Sequence, residues 1–157
     1  MFKRILAGSG AVALCSVLAV GTVAFATPGV NAPAPENLVV GLLDGPSKAK
    51  QDGVSLKVKD DTTVRMFTLT YKPGANSGWH SHPGIVVALV ESGTVTRQTV
   101  KHCRPQTFHA GDVFTEVEGH FVANPSATEN AVLRITQFFP AGSDPLRVDI
   151  PVAPCKS

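Results

Sequence analysis

GANSGWHSHPGIVVALVESG, residues 74–93, is the stretch that decides the fold. His80 and His82 stand two apart, so on an extended segment both side chains point to one side. Gly74 and Gly93 frame the pair. A third histidine, His120, follows Gly119 in a later segment and precedes Asn124 by four positions. Three imidazoles carried by converging strands can grip one transition-metal ion.

Working outward, the segments on both sides of this stretch read as strands. Ile85–Val90 is apolar at every position, the pattern of a central strand buried on both faces. Ser92-Gly93 is a turn and Thr94–Val100 returns from it, which predicts a hairpin. Leu38–Leu43, Ser55–Lys59, Val64–Tyr71, Gln106–His109, Val113–Val117 and Ala131–Phe139 are further strand candidates. Asp44–Gly53 reads as a polar turn region. After residue 26 no helical period is sustained. Many short strands with Gly/Pro turns predict an all-β sandwich or barrel formed by residues 38–157.

The ends of the chain carry different information. Lys3 and Arg4 precede the apolar run Ile5–Phe25, and Ala24-Phe25-Ala26 is a small-x-small processing signal. Residues 1–26 therefore read as an export signal cut after Ala26, with a retained membrane anchor as the alternative. The expected location is secreted, periplasmic or cell-envelope, with no membrane association after cleavage. Residues 27–37, with Pro28, Pro33 and Pro35, read as a flexible Pro/Ala-rich leader. Lys3 and Arg4 also supply the whole formal net charge of +2, so the rest of the chain is neutral and no nucleic-acid partner is expected. Cys103 and Cys155 remain after cleavage, and in an oxidising compartment they form one disulfide or stay as two thiols; the compartment favours the bridge.

These residues resemble the cupin superfamily, whose first motif is G-x5-H-x-H-x3,4-E-x6-G and whose second is G-x5-P-x-G-x2-H-x3-N. Gly74, His80, His82 and Gly93 match the first; Gly111, Gly119, His120 and Asn124 can be placed on the second, with Val117 in the proline slot and His120 directly after Gly119, where keeping the two-residue spacer would instead put Val122 in the histidine slot and leave two ligands. The resemblance implies a single jelly-roll barrel. It also implies a divalent transition metal (Fe, Mn, Ni, Cu or Zn) on His80, His82 and His120. The glutamate slot of the first motif holds Val86 or Val87, neither of which can bind a metal. Glu116, on the strand leading to His120, is the local candidate for a fourth ligand. Gln137 is a second candidate, since it alternates with Leu133, Ile135 and Phe139 on one face of the last strand. Val86, Ala88, Phe114 and Val122 are expected to wall a pocket for a small-molecule ligand or substrate. His102 and His109 fall outside both motifs.

Two functions follow from this reading. As an enzyme, the protein would be a metal-dependent dioxygenase or isomerase, as the family likeness implies. As a binding protein, it would carry a metal or small ligand without turnover. A homodimer through edge strands is a third, structural reading.

Overall fold

In the computed structural model, which describes residues 28–151, every regular element is a β-strand. The segment read as an export signal and Cys155 lie outside the described residues, as does the pairing expected of Cys103. Twelve strands follow in order: β1 Glu36–Leu43, β2 Ser47–Gln51, β3 Val54–Val58, β4 Thr62–Tyr71, β5 His80–Ser81, β6 Ile85–Ser92, β7 Thr94–Thr99, β8 Gln106–His109, β9 Val113–Glu116, β10 His120–Ala123, β11 Ala131–Pro140 and β12 Val148–Asp149. One five-stranded antiparallel sheet has the order β1-β4-β11-β6-β9 and the other β12-β5-β10-β7-β8. This is the jelly-roll architecture expected from the sequence. A two-stranded ribbon, β2-β3, stands apart from both sheets.

The expected hairpin between residues 85–90 and 94–100 does not form. β6 pairs with β11 and β9, whereas β7 pairs with β10 and β8. Gly93 is a corner at which the chain passes from one sheet to the other. Its φ is +75°, and a Cβ there would run into the Asn130 carbonyl oxygen. A second corner at Ala110-Gly111-Asp112 returns the chain from β8 to β9. β6 is also not buried on both faces. Val86, Ala88 and Val90 are core residues, while Ile85 and Leu89 are exposed, because one face of an antiparallel sheet can meet water. The turn expected over residues 44–53 contains β2, whose sequence SKAKQ has no apolar alternation to announce a strand.

The first sheet presents its inner side chains in level rows, fixed by register. Arg65, Gln137, Val86 and Glu116 form one row across β4, β11, β6 and β9. Phe67, Ile135, Ala88 and Phe114 form the next, and Leu69, Leu133 and Val90 the one after. The apolar rows, with Val95 and Val122 of the second sheet, make the core. Residue parity thus puts a polar row at one end of an otherwise apolar barrel. β1 differs from its neighbours: Leu38, Val39, Val40 and Leu42 are all exposed, so this edge strand adds apolar surface on both of its faces.

Asn124 closes the loop between β10 and β11. Its side chain is buried and its Nδ2 donates to the carbonyls of Tyr71, Lys72 and Glu129, while its Oδ1 accepts from the Ser126 amide. Its role is to satisfy backbone groups that water cannot reach. Asn124→Ala is expected to cost about 2–4 kcal/mol, since it strands several buried partners at once. A urea-unfolding midpoint unchanged from wild type would contradict this assignment.

Candidate metal centre

The three histidines of the sequence motif meet inside the barrel. β10 runs between β5 and β7, and its register places His120 directly across from His80. His82 lies just past β5, ahead of the Pro83-Gly84 turn. One nitrogen of each imidazole lies within 4.8 Å of those of the other two. Ring centroids are 4.9 Å apart for His80–His82, 4.2 Å for His80–His120 and 5.3 Å for His82–His120.

The backbone sets the tautomer of each ring. Nδ1 of His80 lies 3.0 Å from the Gly78 carbonyl, that of His82 is 2.8 Å from the Leu146 carbonyl, and that of His120 is 2.7 Å from the Glu118 carbonyl. A carbonyl only accepts, so each Nδ1 carries a hydrogen and each neutral ring keeps its lone pair on Nε2. Gln137 Nε2 is also drawn 3.1 Å from His82 Nδ1. Two donors would face each other there, so we assign the Gln137 amide with its oxygen toward His82.

Glu116 lies beside His82 and His120. Its Oε2 lies 3.1 Å from His120 Nε2 and 3.7 Å from His82 Nε2, and the residue is buried. His120 Nε2 nevertheless makes no hydrogen bond. With no proton between them, an imidazole nitrogen and a carboxylate oxygen at this separation repel, and a cation placed there relieves that repulsion. Three imidazoles whose Nδ1 atoms are held by backbone carbonyls, with a buried carboxylate beside them, are compatible with a divalent metal. The residues fit the ion that the sequence motif implies. Val86, in the slot where the family pattern has glutamate, is the cross-strand partner of Glu116. The carboxylate therefore comes from the neighbouring strand at the same level of the barrel.

A cavity of about 150 Å³ adjoins the cluster. His80, His82, Glu116, Gln137 and Val86 line it on the polar row, and Phe67, Leu69, Leu133 and Ile135 line it below. Ala88, Phe114 and Val122, expected as pocket wall, belong instead to the closed core. Ala88 and Phe114 lie a row deeper than Val86 and Glu116, and at that depth the hollow is lined from β4 and β11. Sequence reading missed Arg65, Tyr71 and Arg147, which also line the cavity. Arg65 had a readable signal: it alternates in phase with Phe67, Leu69 and Tyr71, on the apolar face of its strand. Ala32, Pro33 and Pro35 of the leader line part of the mouth, and Val30 is tied to Asn76, its carbonyl accepting from the Asn76 amide and its N–H donating to Asn76 Oδ1. His109, outside the cluster, hydrogen-bonds Thr94 on the surface.

Burial lowers the affinity of His80 for a proton, and His120 and Arg147 lower it further. Burial also lowers that of His82, against the Leu146 carbonyl, which acts the other way. Both rings thus stay neutral in the folded protein at pH values where the unfolded chain takes up protons, near 6.5. The unfolded state then binds more protons, so metal-free stability is complete above about pH 7 and falls as pH drops through 6.5. The loss should reach at most about 2 kcal/mol per histidine by pH 5. Urea titrations at both pH values measure it, and His80→Gln should flatten the slope. An unchanged slope would show that His80 titrates normally.

Two facing antiparallel sheets, with three histidines converging inside one end, form a jelly-roll barrel. No family model and no curated protein matches the chain. Several solved structures are similar to it. One is an uncharacterized conserved protein with a double-stranded β-helix domain from Klebsiella pneumoniae, 18% identical, covering 56% of this chain and 70% of that one with a TM-score of 0.48. A cupin-like protein from Thermotoga maritima is 18% identical, covering 74% and 77%, with a TM-score of 0.46. A cupin 2 conserved barrel domain protein from Salinispora arenicola is 19% identical, covering 68% and 78%, with a TM-score of 0.44.

Proposed function

We propose that this protein is an exported cupin that holds one divalent transition metal on His80, His82, His120 and Glu116 and receives a small molecule in the adjoining cavity. The observation that carries the reading is the set of three Nε2 lone pairs turned toward one another beside a buried carboxylate. Each imidazole is oriented by a backbone carbonyl, so the donors are preorganised and little ordering cost remains on binding. When bound, such a metal would supply Lewis acidity or activate oxygen, which is the chemistry of a dioxygenase or an isomerase. The chain's own residues would fix the donors, keep the floor of the site apolar and exclude bulk water. The carrier reading draws support from the missing family glutamate and from the lack of a placed general base; Glu116, across from Val86 and beside His120, weighs against the first of these.

Metal analysis of the purified mature protein tests the centre: one ion per chain is expected. Oxygen uptake and product analysis on a substrate panel then separate enzyme from carrier. Export and the Cys103–Cys155 bridge form part of the same proposal. Intact-mass measurement of secreted material should find an N-terminus at Thr27 and a loss of two hydrogens that reductant restores. A retained leader peptide would argue for an anchored form.

A further inference from the structure

We propose that Arg65 recognises the carboxylate of a small organic acid bound in the cavity beside the histidines; the inference deepens the metal-site reading and rests on it for the ligand's other end. Arg65 is half-buried and lines the cavity. Its guanidinium lies over the Phe67 ring, 5.6 Å from the centroid. Among the described residues no carboxylate pairs with it and no oxygen accepts from it, whereas Arg134 has Glu91 and Arg147 has Asp149. A guanidinium presents five donors in a planar fork that matches a carboxylate with two parallel hydrogen bonds. A fork stacked on an aromatic ring, aimed into a hollow and lacking an acceptor, is a site waiting for an anion.

Position and charge narrow the ligand. Gln137 stands between Arg65 and the histidines: it is the cross-strand partner of Arg65 and touches His82. The backbones of Arg65 and Glu116 are three strand spacings apart, about 14 Å, and both side chains reach inward from them. A cavity of 150 Å³ is the size that admits a benzene-sized molecule. Arg65 brings one fixed positive charge to its end of the row, and its cross-strand neighbour Gln137 is neutral. Phe67, Leu69, Leu133 and Ile135 offer the middle of the ligand only apolar contact. The chemistry specified is a monocarboxylic acid with a short apolar body, its carboxylate on Arg65.

The test uses the full mature protein, zinc-loaded and metal-free, and a series of carboxylates from acetate to hexanoate with their matching amides. Calorimetry should show a carboxylate of the series bound at least about tenfold more tightly than its amide. Arg65→Gln should lower carboxylate affinity by about tenfold or more while zinc stoichiometry stays at the wild-type value. Arg65→Lys, which keeps the charge but loses the fork, should fall between the two. Equal affinity for acid and amide, an Arg65→Gln protein that binds the acid as wild type does, or a wild type that binds none of the acids would each overturn the proposal. Failure of the metal centre reads out separately, as wild-type protein that takes up no zinc. Arg65-dependent acid binding to the metal-free protein would then still uphold the role of Arg65.

Discussion

His120→Gln protein is expected to retain no stoichiometric divalent metal, where wild type holds one ion per chain. The side chain is nearly solvent-free, at 1% exposure, and its Nε2 is the donor closest to Glu116. Glutamine fills most of the volume, so the loss reads as loss of a ligand rather than as a collapsed core. Removing even a group that only orients a metal ligand costs about 10–100-fold in affinity, and removing the ligand itself should exceed that range. Metal content by elemental analysis, together with unfolding curves with and without added zinc, provides the check. Wild-type zinc stoichiometry in this variant would place the ion elsewhere and dissolve the proposed centre.

The second large effect concerns the carboxylate. Glu116→Gln should weaken metal binding by about 100-fold, yet leave the metal-free protein at least as stable as wild type. An amide NH₂ can donate to His120 Nε2 when the ring carries its hydrogen on Nδ1, whereas a carboxylate would face that nitrogen lone pair to lone pair. Affinity and metal-free stability then move in opposite directions, as expected for a site held in a poised state. The cross-strand register offers a rescue. Val86 and Glu116 are directly opposed, with Cβ atoms about 5 Å apart, so Val86→Glu combined with Glu116→Val should return the carboxylate to the same level of the barrel. Recovery of at least a tenth of wild-type affinity is expected. A double variant as weak as Glu116→Gln would show that only β9 can aim an oxygen at the histidines.

Much of this molecule could be read from its residues. Alternation in Leu133, Ile135, Gln137 and Phe139 offered one face of β11 as the inner one, which is the buried face, and the His80/His82 pair with His120 nominated three histidines that do cluster. Spacing cannot say which strands pair, and there the reading failed. Ser92-Gly93 looks like a hairpin turn, yet Gly93 turns the chain into the other sheet, and only the opposing Asn130 carbonyl reveals why. Glu116 could be nominated from sequence but not chosen over a solvated glutamate, because its partner Val86 lies thirty positions back. β5 and β12 have two residues each, too short for periodicity to register. Arg65 was overlooked because one cation in a mixed strand looks ordinary until the neighbouring face proves apolar.

The leader at Ala32–Pro35 and the segment Leu146–Arg147 both border the cavity mouth, so both ends of the described chain run past the same doorway. An oligohistidine handle brought near either segment would offer competing imidazoles at the entrance. Metal titrations and ligand screens on tagged material would then report partly on the handle. Protein purified without a tag, or with the handle removed, is the appropriate sample.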